Sequence, residues 1–91
     1  MNAIDEVTAA LVLAKMREKE APGLEILTST VHQLEYLLAV VTGEDNDKSR
    51  VKEVIVGHYA VREFEESDPQ LARALKAAQF VASRISKGLK I

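Results

Sequence analysis

Four acids, Glu63, Glu65, Glu66 and Asp68, fall within six residues of the stretch "VREFEESDPQLARALKAA", Val61 to Ala78. Neighbouring carboxylates can do acid–base work only where burial or a like charge raises a pKa. Glu63, Glu65 and Glu66 lie beside a helix end, in water, so their expected use is to present negative charge. The two histidines carry little chemistry. His32 and Glu35 are three apart on a helical stretch, but a metal needs three or four ligands, and His32 is expected to cap or pack. "GHY" at Gly57–Tyr59 has a glycine that lets something approach the backbone: a neighbouring helix packed closely, or a partner in a notch. No Ser-His-Asp order, glycine-rich phosphate loop or nucleophile elbow occurs. No catalytic, cofactor-binding or metal-binding residue is therefore assigned.

Four segments must position these residues. Breakers at "APG" (Ala21–Gly23), "GEDND" (Gly43–Asp47) and the Ser67–Pro69 corner separate Ala3 to about Lys19, Leu24 to about Thr42, Lys48 to about Phe64, and Pro69 to about Lys87. Each has helical spacing. Ile4, Val7, Leu11 and Ala14 share a face of the first. Leu24, Leu27, Val31, Leu34, Leu38 and Val41 form the tightest stripe, in the second. Val51, Val54, Ile55, Val61 and Phe64 cluster in the third. Leu71, Ala74, Leu75, Ala78, Ala82, Ile85 and Leu89 do so in the fourth. "VKEVIVGHY" is the one strand-like moment, because β-branched residues and Gly57 disfavour helix; its charged, helical flanks still argue for helix. Asp47 is expected to cap the third helix, and Ser67 or Asp68 the fourth, with Pro69 in the first turn. Ser67 as cap would pair with Gln70 in a capping box. Gly88 is the expected C-terminal cap. Short loops favour antiparallel neighbours, so the fold class is all-α, a small four-helix bundle-like single domain over residues 1–91.

Composition excludes several functions. The chain has 91 residues, 47% of them hydrophobic and 29% charged, which suits one globular domain. It has no cysteine, hence no disulfide framework or thiolate nucleophile. A net charge of -2 and the lack of tryptophan argue against a nucleic-acid partner. The N-terminus is acidic, and "AALVLA" is short and followed by charges, so it does not read as a signal peptide. No stretch approaches the ~20 apolar residues of a membrane span. The expected compartment is the cytoplasm.

In an up-down topology the first and third corners share one end. That end collects Glu18, Glu20, Glu25, Glu63, Glu65, Glu66 and Asp68 against Arg17, Lys19 and Arg62. Arg84, Lys87 and Lys90 lie near the other end, with both termini. Helix capping needs one or two acids at a corner, so the surplus points to a basic partner.

The segments "GLEIL", "HQLEYL", "AVREFEESDPQLARALKAA" and "SKGLK" resemble the small helical immunity proteins of bacterial type VI secretion, which neutralise an NAD(P)+ glycohydrolase effector toxin. The resemblance spans Gly23 to Lys90. Its most specific part is Phe-acid-acid-Ser-Asp-Pro-Gln-Leu-x-Arg-Ala-Leu-Lys at Phe64 to Lys76, followed by Gly88-Leu89-Lys90. The first helix and "GEDND" match the family much less. The resemblance implies an all-helical protein that catalyses nothing, needs no cofactor, and binds a toxin domain so as to block its cleft. A toxin that holds a dinucleotide pyrophosphate needs positive potential there, which an acidic protein end could match. Charge and position then select Glu63, Glu65, Glu66 and Asp68 as partner-binding residues, with Tyr59 and Arg62 as anchors one turn up. The same motif also reads as a folding signature, with Phe64 packing, Asp68 capping and Pro69 starting a helix. The alternative function is a helical adaptor, chaperone or homodimerising module with an exposed apolar stripe; self-association of the free protein stays open.

Overall fold

The structure, a computed structural model, describes residues 2–89. Helix α1 spans Ala3–Glu20, α2 Glu25–Thr42 and α4 Pro69–Ser86. Between α2 and α4 the chain makes a 3-10 turn at Val51–Glu53, then the short helix α3 at Val56–Tyr59, which widens into a π-helical turn at Ala60–Phe64. No strand occurs among the described residues. Helix α1 packs against both α2 and α4, and the third segment packs mainly on α4. The all-α, four-helix expectation stands, with one correction in the third segment.

That segment is not one continuous helix from Lys48. Val54 is extended (φ -72°, ψ 118°) and separates the 3-10 turn from α3. The reason lies in which side chains are buried. Val51, Val54 and Val56 are each at most 4% exposed. At about 100° per residue a helix would set positions 54 and 56 roughly on opposite faces. A break in extended geometry turns both inward, and the low helix propensity of Val54, Ile55, Val56 and Gly57 makes the break inexpensive. Ile55 and Val61, expected to be inside, are exposed; Val56 and Ala60 take their places in the core.

A break in the middle of a packed segment leaves backbone groups to satisfy. Two glutamines from other helices do so. Gln33 of α2 accepts a hydrogen bond from the Ile55 N–H at its Oε1 (2.7 Å). Gln79 of α4 accepts from the Gly57 N–H (2.9 Å) and donates from Nε2 to the Val54 carbonyl (2.9 Å). A Cβ on Gly57 would lie 2.7 Å from Cβ and Cγ of Gln79. Gly57 therefore serves close helix packing, the plainer of its two expected roles.

The other elements follow their sequence signals more closely. Asn2 caps α1 by accepting from the Asp5 N–H (2.9 Å). Asp68 caps α4, accepting from the Leu71 N–H (3.2 Å), and Pro69 follows in the first turn. Ser67 is not the cap; its hydroxyl donates back to the Glu63 carbonyl (3.1 Å). Nor does Asp47 cap a helix. Its Oδ1 accepts from the Ser49 N–H (2.9 Å), closing a turn ahead of the 3-10 element. Gly88 ends α4 at φ +73°, with the Leu89 N–H bonded to the Arg84 carbonyl and the Gly88 N–H to the Ile85 carbonyl. This is the six-to-one and five-to-two pattern that a left-handed glycine permits. The matching Lys90 lies outside the described residues.

The core joins Val7, Ala10, Leu11 and Ala14 of α1 to Leu27, Val31, Leu34, Leu37 and Val40 of α2 and Leu71, Leu75, Ala78 and Val81 of α4. The α2 stripe departs from the expected one after Leu34: Leu37 and Val40 are buried, while Leu38 and Val41 pack on the margin and Leu24 is exposed. Steps of three and four average 3.5 residues, and a straight helix drifts off such a stripe. Ile4 and Leu89 are exposed as well. No buried side-chain polar atom among the described residues lacks a hydrogen-bond partner.

Candidate partner-binding surface

Arg17, at the end of α1, donates from Nε to Oδ2 of Asp68 at the start of α4 (2.6 Å). The contact joins positions 51 apart in sequence and fixes α1 and α4 as antiparallel, with the first and third corners at one end. The same guanidinium reaches Glu20 (3.3 Å) and the side-chain oxygen of Gln70 (3.3 Å). The hydrogen bond from Arg17, aided by that from the Leu71 N–H, holds the Asp68 carboxyl below the usual carboxylate range. Asp68 in turn raises the pKa of Arg17. Asp68 is thus engaged in holding the corner together.

The remaining acids divide clearly. Glu65 pairs with Lys76 (3.3 Å), both side chains about half exposed. Glu63 and Glu66 are exposed and form no ion pair among the described residues. Glu18 and Glu25 are likewise without one. Three of these acids, Glu63, Glu65 and Glu66, border a shallow depression of about 520 Å³, which they line together with Val61, Arg62 and Ser67. Val61 is 58% exposed there, an apolar side chain among charges. The π-helical turn at Ala60–Phe64 carries the first of them. Such turns widen the helix and shift the direction of the side chains that follow, and they recur at functional sites.

The two expected anchors differ. Arg62 is exposed and makes no ion pair among the described residues. Tyr59 is half-buried, with its hydroxyl 3.1 Å from the Ser29 hydroxyl and 3.3 Å from Nε2 of Gln33. It is a fixed wall between α2 and α3. Glu63, Glu65, Glu66 and Arg62 therefore gather on one surface, while Asp68 and Tyr59 are committed to supports beneath or beside it. Sequence reasoning set Arg17 at this end and Gln70 in a capping box but missed the contacts of Arg17 with Asp68 and Gln70 and of Lys76 with Glu65, and the two cations decide which acids stay free. A basic residue in the last turn of α1 was the one available signal.

No group of three or more potential metal ligands gathers among the described residues. His32 is exposed rather than packed. No helix among the described residues is long and apolar enough to cross a membrane.

Comparison with known proteins places this geometry in a family. The Tsi6 family profile matches residues 2–84. Immune protein Tsi6 of Pseudomonas aeruginosa strain PAO1 is 40% identical over 91 residues, covering 100% of this chain and 97% of that protein. The fold matches Tsi6 in the structure of Tse6 in complex with Tsi6, with a TM-score of 0.93 at 40% identity over 99% of this chain and 96% of the other. It also matches the structure of Tsi6 from P. aeruginosa, with a TM-score of 0.87 at 40% identity over 100% and 95% of the two chains. The chain belongs to the Tsi6 family of immune proteins.

Proposed function

We propose that the chain is a cytoplasmic immunity protein that binds and inhibits a cognate type VI effector toxin related to Tse6. It carries out no reaction of its own and acts by occupying the toxin's active-site cleft. The observation that carries the reading is 40% identity across the full chain to an immune protein whose structure with Tse6 has the same fold. The expected toxin chemistry is NAD(P)+ glycohydrolysis.

The acidic end is the surface that enters the cleft. Glu63, Glu65 and Glu66 meet the cationic groups that would hold a dinucleotide pyrophosphate, and complementary potentials speed the encounter. Exposed Val61, with Leu24 (52% exposed) at the start of α2, supplies apolar contact inside a charged rim. Arg62 is free to make bidentate contacts with a carboxylate. Tyr59 and Asp68 act mainly by holding this surface in shape. A stable complex needs on the order of 800 Å² from each partner, so neighbouring helix ends contribute as well.

The test is to co-express the chain with its cognate toxin domain and follow cellular NAD(P)+. Depletion by the toxin alone, with levels held on co-expression, supports the reading. Rescue from a toxin that leaves NAD(P)+ intact keeps the immunity role and redirects the chemistry to another target. Failure both to bind and to rescue overturns the proposal.

A further inference from the structure

Helix α3 has four residues, one of them a glycine, so it has no stability of its own. Whatever holds α3 decides where the turn after it, Ala60–Phe64, presents its side chains. On one side the segment packs on α4, where Gln79 bonds the Gly57 N–H and the Val54 carbonyl. On the α2 side the hold is polar and centres on one half-buried residue, Gln33.

Gln33 reaches both ends of α3. Its Oε1 accepts from the N–H of Ile55, the residue just before the helix (2.7 Å). The Ile55 side chain is 44% exposed and makes no cap bond of its own. The Gln33 Nε2 donates to the Ser29 hydroxyl (3.0 Å) and to the Tyr59 hydroxyl (3.3 Å), and those two oxygens stand 3.1 Å apart. Tyr59 is the last residue of α3, and the π-helical turn begins at the next one. Apolar burial on α4 is non-directional, whereas these bonds fix the angle at which α3 lies beside α2.

We propose that Gln33 is a positioning residue for the partner-binding surface. By holding Ile55 and Tyr59 at once, it fixes the direction of α3 and so sets where Arg62, Glu63 and Glu66 stand. It acts through α3 and the turn rather than by touching the partner. Its consequence for binding rests on the reading of the acidic end as the toxin-facing surface; its hold on the turn does not.

The test is amide hydrogen exchange of the free full chain, read by NMR, beside the affinity of the toxin domain. Gln33→Met keeps the length of the side chain and removes every one of its hydrogen bonds. Exchange at Ile55 and through residues 60–65 should rise about tenfold or more, while amides of residues 7–14 in α1 change little. Gln33→Glu keeps an acceptor for the Ile55 N–H, and both hydroxyls can donate to its carboxylate, so it should restore most of the protection. At a temperature where Gln33→Met is fully folded, it should bind the toxin domain about tenfold more weakly, because the loosened turn must be ordered on binding. A rise confined to Ile55 would overturn the proposal. So would a rise shared equally by α1, which is a loss of global stability, or full toxin affinity in a variant whose turn has loosened. A toxin domain that ignores even the unaltered chain would overturn the toxin reading, while a loosened turn would still support the hold of Gln33 on it.

Discussion

Two corners of this molecule are rich in acids, and they spend them differently. At Gly43–Asp47 the acids serve the loop itself. Asp45 Oδ1 accepts from the Asp47 N–H (2.8 Å), Asp47 Oδ1 from the Ser49 N–H (2.9 Å), and Tyr36 donates to the Asp47 carbonyl (2.8 Å). Arg50 stacks over the same tyrosine, 4.5 Å from its ring centre. At Val61–Asp68 one acid, Asp68, serves the fold, and the glutamates before it face outward on a widened helical turn. Acidity alone does not mark a binding surface. What separates the corners is how many carboxylates remain once caps, turns and ion pairs have taken theirs.

The largest effect on stability should come from the support under the second corner. Gly57→Ala forces a Cβ to within 2.7 Å of Gln79, so it should cost about 1–3 kcal/mol of unfolding free energy, measured by urea denaturation. Asp68→Ala removes a helix cap and should cost about 0.5–2 kcal/mol in the same measurement. If Asp68 instead served chiefly as a contact, that variant would keep its stability and lose binding.

A pH series sharpens the point. The Asp68 pKa is lower in the folded chain than its ordinary value of 3.8, chiefly because Arg17 donates to it. Its contribution is therefore complete above about pH 4 and is lost as pH falls through the folded-state pKa. Asp68→Asn should flatten the acid limb of the stability profile below pH 4; an unaltered limb would remove Asp68 from the account. The smallest effect should be that of Glu65→Lys with Glu66→Lys. These are exposed positions, and the Glu65–Lys76 pair is half exposed, so stability should change by only about 0.5 kcal/mol.

How much of this was legible in the sequence depended on how local each cause is. Helix α4 could be read at both ends, because Asp68-Pro69 and Gly88 act within one turn of themselves. The third segment could not. Its break at Val54 depends on Gln33 and Gln79, whose side chains arrive from helices 22 to 25 residues away. Their signal was faint: polar residues next to the apolar stripes of α2 and α4. The acidic end was predictable as a collection of charges, since up-down topology alone assembles it. Which of those charges stay free was not, because Arg17 chooses Asp68 across 51 residues. The α2 stripe failed more quietly, as the small mismatch between repeats of 3.5 and 3.6 residues accumulated along the helix and exchanged Leu38 for Leu37 at the core.

The most direct measurement is the affinity of the cognate toxin domain for two charge-reversed variants, Glu65→Lys with Glu66→Lys at one corner and Glu44→Lys with Asp45→Lys at the other. Both make the same change in net charge. The first variant should bind at least about tenfold more weakly, with a slower and less salt-sensitive association, while the second should bind as the unaltered chain does. Equal losses would mean that only overall charge matters. Full affinity in the first variant would contradict the claim that the acidic end faces the toxin.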